Sequence, residues 1–226
     1  LILEVGSGSG RFTEQAASTG AMVVSLDYSH AVDANYKTNG SKENVFILQG
    51  DIYSMPLKKG IFDKLICIGV LQHTPNPRKA FLVLPAFLKK SGCLVVDIYK
   101  KGWKEYLICK RYIRPFTRMV DPRKLYNMIQ RYVDFMWPLC GLIRKIPKIG
   151  PMIIWGVFGI ADYSRRGLKG QILKEWAYLD TFDMFAPRYD YPKTISEVKR
   201  WFEESGLIHI DVKTGYNGVE GRGLKH

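Results

Sequence analysis

The sequence predicts an α/β fold: a seven-stranded, mostly parallel sheet flanked by helices, with a helical insertion after the fifth strand. Three observations predict it. Short apolar runs alternate with helix-length runs from residue 1 to 99 and again from 192 to 226, the pattern of strands joined by crossover helices. The opening run, Leu1 to Val5, stops at three alternating glycines, Gly6, Gly8 and Gly10, which reads as a buried strand, a tight turn and a helix start suited to a nucleotide-type ligand. From Lys100 to about Tyr191 the alternation stops and basic helical pieces take over. The organisation is therefore a ligand-binding domain of residues 1–99 and 192–226, interrupted by a basic helical cap of residues 100–191.

Taken in order, Arg11 to Gly20 reads as a helix ended by a glycine, and Ala21 to Leu26 as a strand delivering Asp27 and Tyr28. Ser29 to Asn39 is helical, and Val45 to Gly50 is a third strand delivering Asp51 and Ile52. A fourth strand begins at Phe62 and ends at Gly69, followed by Val70-Leu71-Gln72-His73-Thr74-Pro75-Asn76-Pro77. The two prolines set a helix whose pattern continues to Leu88. Ser91-Gly92 is a turn, and Leu94 to Tyr99 is the fifth strand. Within the cap, Trp103 to Ile113 and Asp121 to Phe135 read as amphipathic basic helices, broken by Pro115, Pro138, Pro147 and Pro151. Asp180 to Asp190 concentrates acids, Arg188 and Tyr189 without helical periodicity, which suits a substrate-contacting loop. Thr194 with Glu197 three residues on has capping-box spacing and starts a helix to Ser205. Ile208 to Val212 is a sixth strand and Gly218 to Leu224 a seventh.

The spacing of the glycines narrows the ligand. A dinucleotide turn requires glycine, any residue, glycine, two residues, then Gly or Ala; counted from Gly6 the last place is Arg11, and from Gly8 it is Thr13. Both frames fail, which disfavours an oxidoreductase. Glu4, two residues ahead of the first glycine, would repel a pyrophosphate and suit a cationic group.

With Glu4, Gly6, Gly8 and Gly10 as they stand, the opening resembles motif I of the class I S-adenosylmethionine-dependent methyltransferases. Residues 62 to 77 resemble motif IV of the broad group that includes the ubiquinone and menaquinone methyltransferases, whose segment has a similar Leu-x-His near a proline. Where that group often has Pro-Gly before its fifth strand, Ser91-Gly92 stands here. The resemblance covers residues 1 to 99 and 192 to 226 well and the insertion loosely. It implies a Rossmann-like sheet and S-adenosyl-L-methionine as cofactor, with Glu4, Gly6, Ser7, Gly8, Gly10, Asp27, Tyr28, Asp51, Ile52, Gly69 and Val70 holding it. Asp27 offers two coplanar acceptors to the ribose diol, though a strand-end acid also serves as a helix cap. In the family, an acid at the place of Asp51 bonds the adenine amino group and its neighbour packs on the ring; a loop cap is the alternative for Asp51. Transfer of an activated methyl requires no metal, since positioning supplies most of the catalysis. His73 is the candidate proton acceptor, or else a donor that holds its loop, with Arg188 and Tyr189 orienting the acceptor.

Composition bounds the rest. A chain of 226 residues that is 46% hydrophobic has the makeup of a well-cored globular protein, not a disordered one. The net charge of +13 is localised: residues 100–174 hold 17 Lys and Arg against 4 Asp and Glu, and the remainder is balanced. Cys67, Cys93, Cys109 and Cys140 lack zinc-type spacing and point to a reducing, cytoplasmic setting. The first residue already lies within a strand expected to be central, so the expectation is a chain lacking N-terminal helices. The apolar stretch Pro151 to Ala161 is too short for a membrane span and suits either a membrane interface or the insertion's own core. The function expected is methyl transfer to oxygen or carbon of a small-molecule or lipid-like acceptor, with peripheral contact to anionic membranes as a further expectation. A non-catalytic cofactor- or anionic-surface-binding module and a nucleic-acid methyltransferase are the alternatives; no nucleic-acid-binding motif is recognisable in the insertion.

Overall fold

In chain order the elements are β1 (Ile2–Val5), α1 (Arg11–Ala17), β2 (Val23–Asp27), α2 (Ala31–Asn39), β3 (Val45–Gln49), β4 (Phe62–Ile68), α3 (Pro77–Val83), β5 (Leu88–Ile98), α4 (Lys110–Thr117), α5 (Pro122–Ile143), α6 (Gly150–Gly156), α7 (Gly170–Phe185), α8 (Ile195–Glu204), β6 (Leu207–Thr214) and β7 (Val219–Lys225). This computed structural model describes residues 1–102 and 110–226. The chain divides into two compact units, Leu1–Lys101 with Tyr189–His226, and Gly102–Arg188.

The first unit is a seven-stranded sheet of order β3-β2-β1-β4-β5-β7-β6. Only β7 runs against the others, pairing antiparallel with both β5 and β6. The strand order reverses between β1 and β4, and in a sheet of this kind the crevice at that reversal, beyond the carboxyl ends of the strands, is where a ligand binds. Alternation along the strands fills two layers. Leu3, Val5, Leu65, Cys67, Leu94, Val96 and Ile98 join Phe81, Trp201 and Phe202 of α3 and α8 in one core, while Ile2, Val23 and Val45 pack with Ala16 and Ala17 of α1. Thr194 caps α8 with the full reciprocal arrangement: its Oγ1 accepts from the Glu197 amide, and the Glu197 carboxylate accepts from the Thr194 amide.

Two boundaries differ from the sequence reading. The helix that starts at Pro77 stops at Val83, because Pro85 diverts the chain into a tight turn, and β5 begins at Leu88, six residues before its expected start. Leu88 pairs with Phe62, whereas Cys93 pairs with Lys64, so Lys89 to Gly92 bulge out of the ladder within the strand, with Ser91 at φ +63°. The polar Lys89-Lys90-Ser91 run concealed that strand.

The second unit packs α5 to α7 around Leu125, Ile129, Val133, Cys140, Ile154, Ile160, Ala177 and Phe185. Asp121 caps α5, its Oδ1 accepting from the amides of Arg123 and Lys124 at 3.1 Å. Pro115 and Pro138, expected as breaks, lie inside α4 and α5. In α5 the apolar side chains that pack inward on both sides of Pro138 override the local cost of the proline. Of the helix expected over Trp103 to Ile113, residues 103–109, Cys109 included, lie outside the described residues, and Ile113 falls in α4. Residues 180–185 are helical, not loop: α7 buries Leu173, Ala177, Thr181 and Phe185 at intervals of four, and the polar Thr181, whose Oγ1 accepts from the Ala161 amide at 3.0 Å, masked the stripe. No helix among the described residues is long and apolar enough to cross a membrane.

Candidate functional site

Glu4 enters the interior on β1 and is 3% exposed. Its Oε2 accepts from Thr13 Oγ1 at 2.5 Å and from Ser25 Oγ at 2.9 Å. The Asn35 amide donates to both hydroxyl oxygens at 3.0 Å, and Asn39 donates to Asn35 Oδ1 at 2.9 Å and to the Gly10 carbonyl at 3.0 Å. One network therefore ties β1, α1, β2 and α2 to the backbone of the glycine turn. Burial pushes the Glu4 carboxyl above its ordinary range, and the hydroxyl bonds offset only part of that. Glu4 Oε1 and Ser7 Oγ are buried with no hydrogen-bond partner, so each has capacity left for a ligand.

The turn itself needs glycine for two different reasons. Gly6, Gly8 and Gly10 take φ values of +83°, +52° and +91°. A Cβ at Gly6 would stand 2.1 Å from Val70 Cγ2, so the loop after β4 packs directly on the turn. A Cβ at Gly8 would meet open space, so its glycine serves the backbone conformation and leaves that side clear. The Gly8 amide donates to Asp27 Oδ2 at 2.8 Å, and Asp27 Oδ1 accepts from the amide and hydroxyl of Ser29 at 2.8 and 2.7 Å. Asp27 is thus fixed at the end of β2 by both neighbouring loops. Gly10 provides no capping side chain to α1.

Beyond β2 and β3, an open groove of about 560 Å³ is lined by Tyr28, Ser29, His30, Gln49, Gly50 and Asp51. Gln49 Nε2 holds the Tyr28 carbonyl at 3.1 Å. Asp51 Oδ1 accepts from the Tyr53 amide at 2.9 Å and so caps the short turn of Ile52 to Ser54, while the Ile52 side chain is buried in the main core. On the β4 side, Gly69 has φ +72° and its amide donates to the Asp97 carbonyl at 2.9 Å.

His73 and Tyr189 meet, but through the backbone. His73 Nδ1 lies 2.9 Å from the Tyr189 carbonyl oxygen; a carbonyl only accepts, so Nδ1 carries the hydrogen of this bond. The imidazole stands edge-on to Tyr99 at 5.4 Å, and the Tyr191 amide donates to the Gln72 carbonyl at 2.9 Å, joining the returning chain to the same loop. Arg188 closes the second unit.

The sequence reading missed the supporting residues Thr13, Ser25, Asn35 and Asn39, whose partners lie 4 to 29 residues away. It also missed Gln72, fully buried with neither amide atom paired, and Asp97, whose Oδ1 is unpaired. Burial, with Glu220 facing it across the β5–β7 ladder, raises the Asp97 carboxyl although Asn217 opposes the shift. A polar residue next to His73 was the available signal for Gln72.

Residues 3–96 match the family described as "Methyltransferase domain". The chain is 27% identical over 141 residues to a ubiquinone biosynthesis O-methyltransferase of Rickettsia akari (strain Hartford), covering 57% of this chain and 56% of that one. It is 28% identical over 143 residues to the protein of that description from Coxiella burnetii (strain Dugway 5J108-111), covering 61% of this chain and 57% of that one. The chain thus spans just over half the length of these curated relatives. Among solved structures, a possible histamine N-methyltransferase of Thermotoga maritima aligns with a TM-score of 0.53 at 16% identity, over 100% of this chain and 82% of that one. An S-adenosylmethionine-dependent methyltransferase of Methanosarcina mazei aligns at 0.55 and 13% identity, over 99% and 91%. At these identities the likeness establishes the fold.

Proposed function

We propose, from the match of residues 3–96 to the methyltransferase-domain family, that this chain is a class I enzyme that transfers the methyl group of S-adenosylmethionine to an oxygen or carbon of a small-molecule or lipid-like acceptor. The observation that carries the reading is the glycine turn set between two acids: Glu4 with a buried, unpaired oxygen on one side and Asp27 pinned at the strand end on the other. The residues fit S-adenosyl-L-methionine. Gly8 leaves open space, the groove of Tyr28 to Asp51 adjoins Asp27, and the orphaned Glu4 and Ser7 oxygens match a cationic, hydrogen-bond-donating group. The cofactor, when bound, supplies an electrophilic sulfonium methyl. Asp27 would hold the ribose hydroxyls, Glu4 and the turn the amino-acid end, and Gly69 and Val70 the edge towards the acceptor.

For a hydroxyl acceptor, His73 Nε2 takes the proton as the oxygen gains its methyl, with Nδ1–H held on the Tyr189 carbonyl to fix tautomer and ring direction. Tyr189 acts on His73 through its backbone carbonyl, its ring stacks on that of Tyr191 at 6.0 Å, and the reading gives Tyr189 and Arg188 the role of orienting the acceptor. The relatives' printed description as ubiquinone biosynthesis O-methyltransferases supports oxygen and a lipid-like acceptor.

The test is calorimetric titration with S-adenosylmethionine, followed by incubation with labelled cofactor and lipid or metabolite extracts and mass spectrometry of the labelled product. Saturable binding weakened roughly tenfold or more in Asp27→Ala is expected, the scale of a lost charged hydrogen-bond partner. Unchanged affinity in Asp27→Ala would remove that residue from the site; binding without any labelled product would make the chain a non-catalytic module.

A further inference from the structure

The helix α5 is apolar on two sides. One stripe, containing Leu125, Ile129, Val133 and Cys140, fills the core of the second unit. The other consists of Met128, Tyr132, Phe135, Leu139, Leu142 and, just past the helix end, Ile146, all exposed, Phe135 by 83% and Leu142 by 62%. The spacing of four, three, four, three from Met128 to Leu142 keeps those five on one line of the helix for about 21 Å, with Ile146 following just beyond its end. Five aligned large apolar side chains differ from the scattered exposed residues of an ordinary surface. Exposed Lys124, Arg131 and Lys145 fall along the edge of this line. Asp134, the acid on the same edge, is engaged by Lys174 at 2.6 Å and by the Tyr178 hydroxyl.

We propose that this face of α5 docks on an anionic lipid bilayer, lying in the interface with the six apolar side chains below the headgroups and the basic edge among them. Charge decides the occupant. Residues 100–174 hold 17 Lys and Arg against 4 acids, so a second copy would bring like charge against like, whereas anionic headgroups complement it. Pro151 to Ala161, which suited either a membrane interface or the insertion's own core, is divided: Ile154, Ile160 and Ala161 are buried core residues, while Met152, Trp155 and Val157 are exposed. The inference concerns where the protein resides and stands apart from methyl transfer.

The test is flotation of the full chain with vesicles of phosphatidylcholine alone and of phosphatidylcholine mixed with phosphatidylglycerol, at low and high salt. Roughly tenfold or greater recruitment to the anionic vesicles is expected at low salt, shrinking as the Debye length falls from about 10 Å at 0.1 M to about 3 Å at 1 M. The pair Phe135→Asp with Leu142→Asp should abolish recruitment, and the milder pair Phe135→Ala with Leu142→Ala should reduce it, each with an unchanged unfolding midpoint. Lys124→Gln, Arg131→Gln and Lys145→Gln together should remove the anionic preference. Equal recruitment to both vesicle types, or undiminished recruitment of the folded alanine pair, would overturn the proposal. So would light scattering that finds a wild-type dimer, a monomeric alanine pair and no vesicle binding, because the face would then join two copies.

Discussion

Glu4 shows how much a single buried group sets the behaviour of this site. Its carboxyl is raised by burial, so the folded state favours its protonated form. The stability it contributes is therefore present at acidic pH and lost as pH rises through the ordinary carboxylate range to its folded value. Glu4→Gln keeps an oxygen for the Thr13 and Ser25 hydroxyls and removes the titration. Urea unfolding between about pH 4 and 8 should show a decline in wild-type stability that is flatter in Glu4→Gln. Above the pH at which Glu4 ionises in the folded state, cofactor affinity should fall in the same variant, since the carboxylate opposite the cationic group is gone. Parallel pH profiles for the two proteins would show that Glu4 does not titrate as argued.

At the scale of elements, α5 runs through Pro138, which removes one helix hydrogen bond and crowds the preceding turn at about 3 kcal/mol in an isolated helix. Pro138→Ala should stabilise the second unit by about 1–2 kcal/mol, less than the full figure because proline also restricts the unfolded chain. Urea unfolding followed by tryptophan fluorescence measures this, and a destabilised variant would mean that the ring packs usefully where it stands. The same proline shows where the sequence was misread. A proline or a threonine within an apolar pattern reads locally as a break, yet α5 and α7 are held by apolar side chains that meet only in the folded unit, Val133 and Cys140 with Ala177 and Phe185. Features whose physics is local were legible: the capping box of Thr194 and Glu197, and the three glycines whose positive φ the turn requires. The exposed apolar line on α5 was also present in the sequence as a heptad-like repeat, but Pro138 cut the helix pattern at Phe135 and hid its second half.

For the whole molecule, the mostly parallel sheet followed from strand and helix alternation, because parallel strands need crossover helices, whereas the strand order, whose reversal between β1 and β4 marks the crevice, is seen only in the structure. The network beneath the turn was not legible, since Asn35 and Asn39 lie in an ordinary helix and gain meaning only when α2 packs against β1 and α1. Every residue assigned to cofactor binding, from Glu4 to Val70, belongs to Leu1–Lys101. Ligand binding to the native state alone should therefore raise the stability of that unit, by about 2.7 kcal/mol at a free concentration 100 times Kd. Hydrogen exchange with and without S-adenosylhomocysteine reads the effect amide by amide: added protection should centre on the glycine turn and the ends of β2 to β4. The Asp27→Ala protein should show a smaller gain at equal ligand concentration, because weaker binding lowers the ratio of ligand to Kd. Protection confined to residues 110–188, with none at Gly8 or Asp27, would place the ligand elsewhere and refute the assignment of the site.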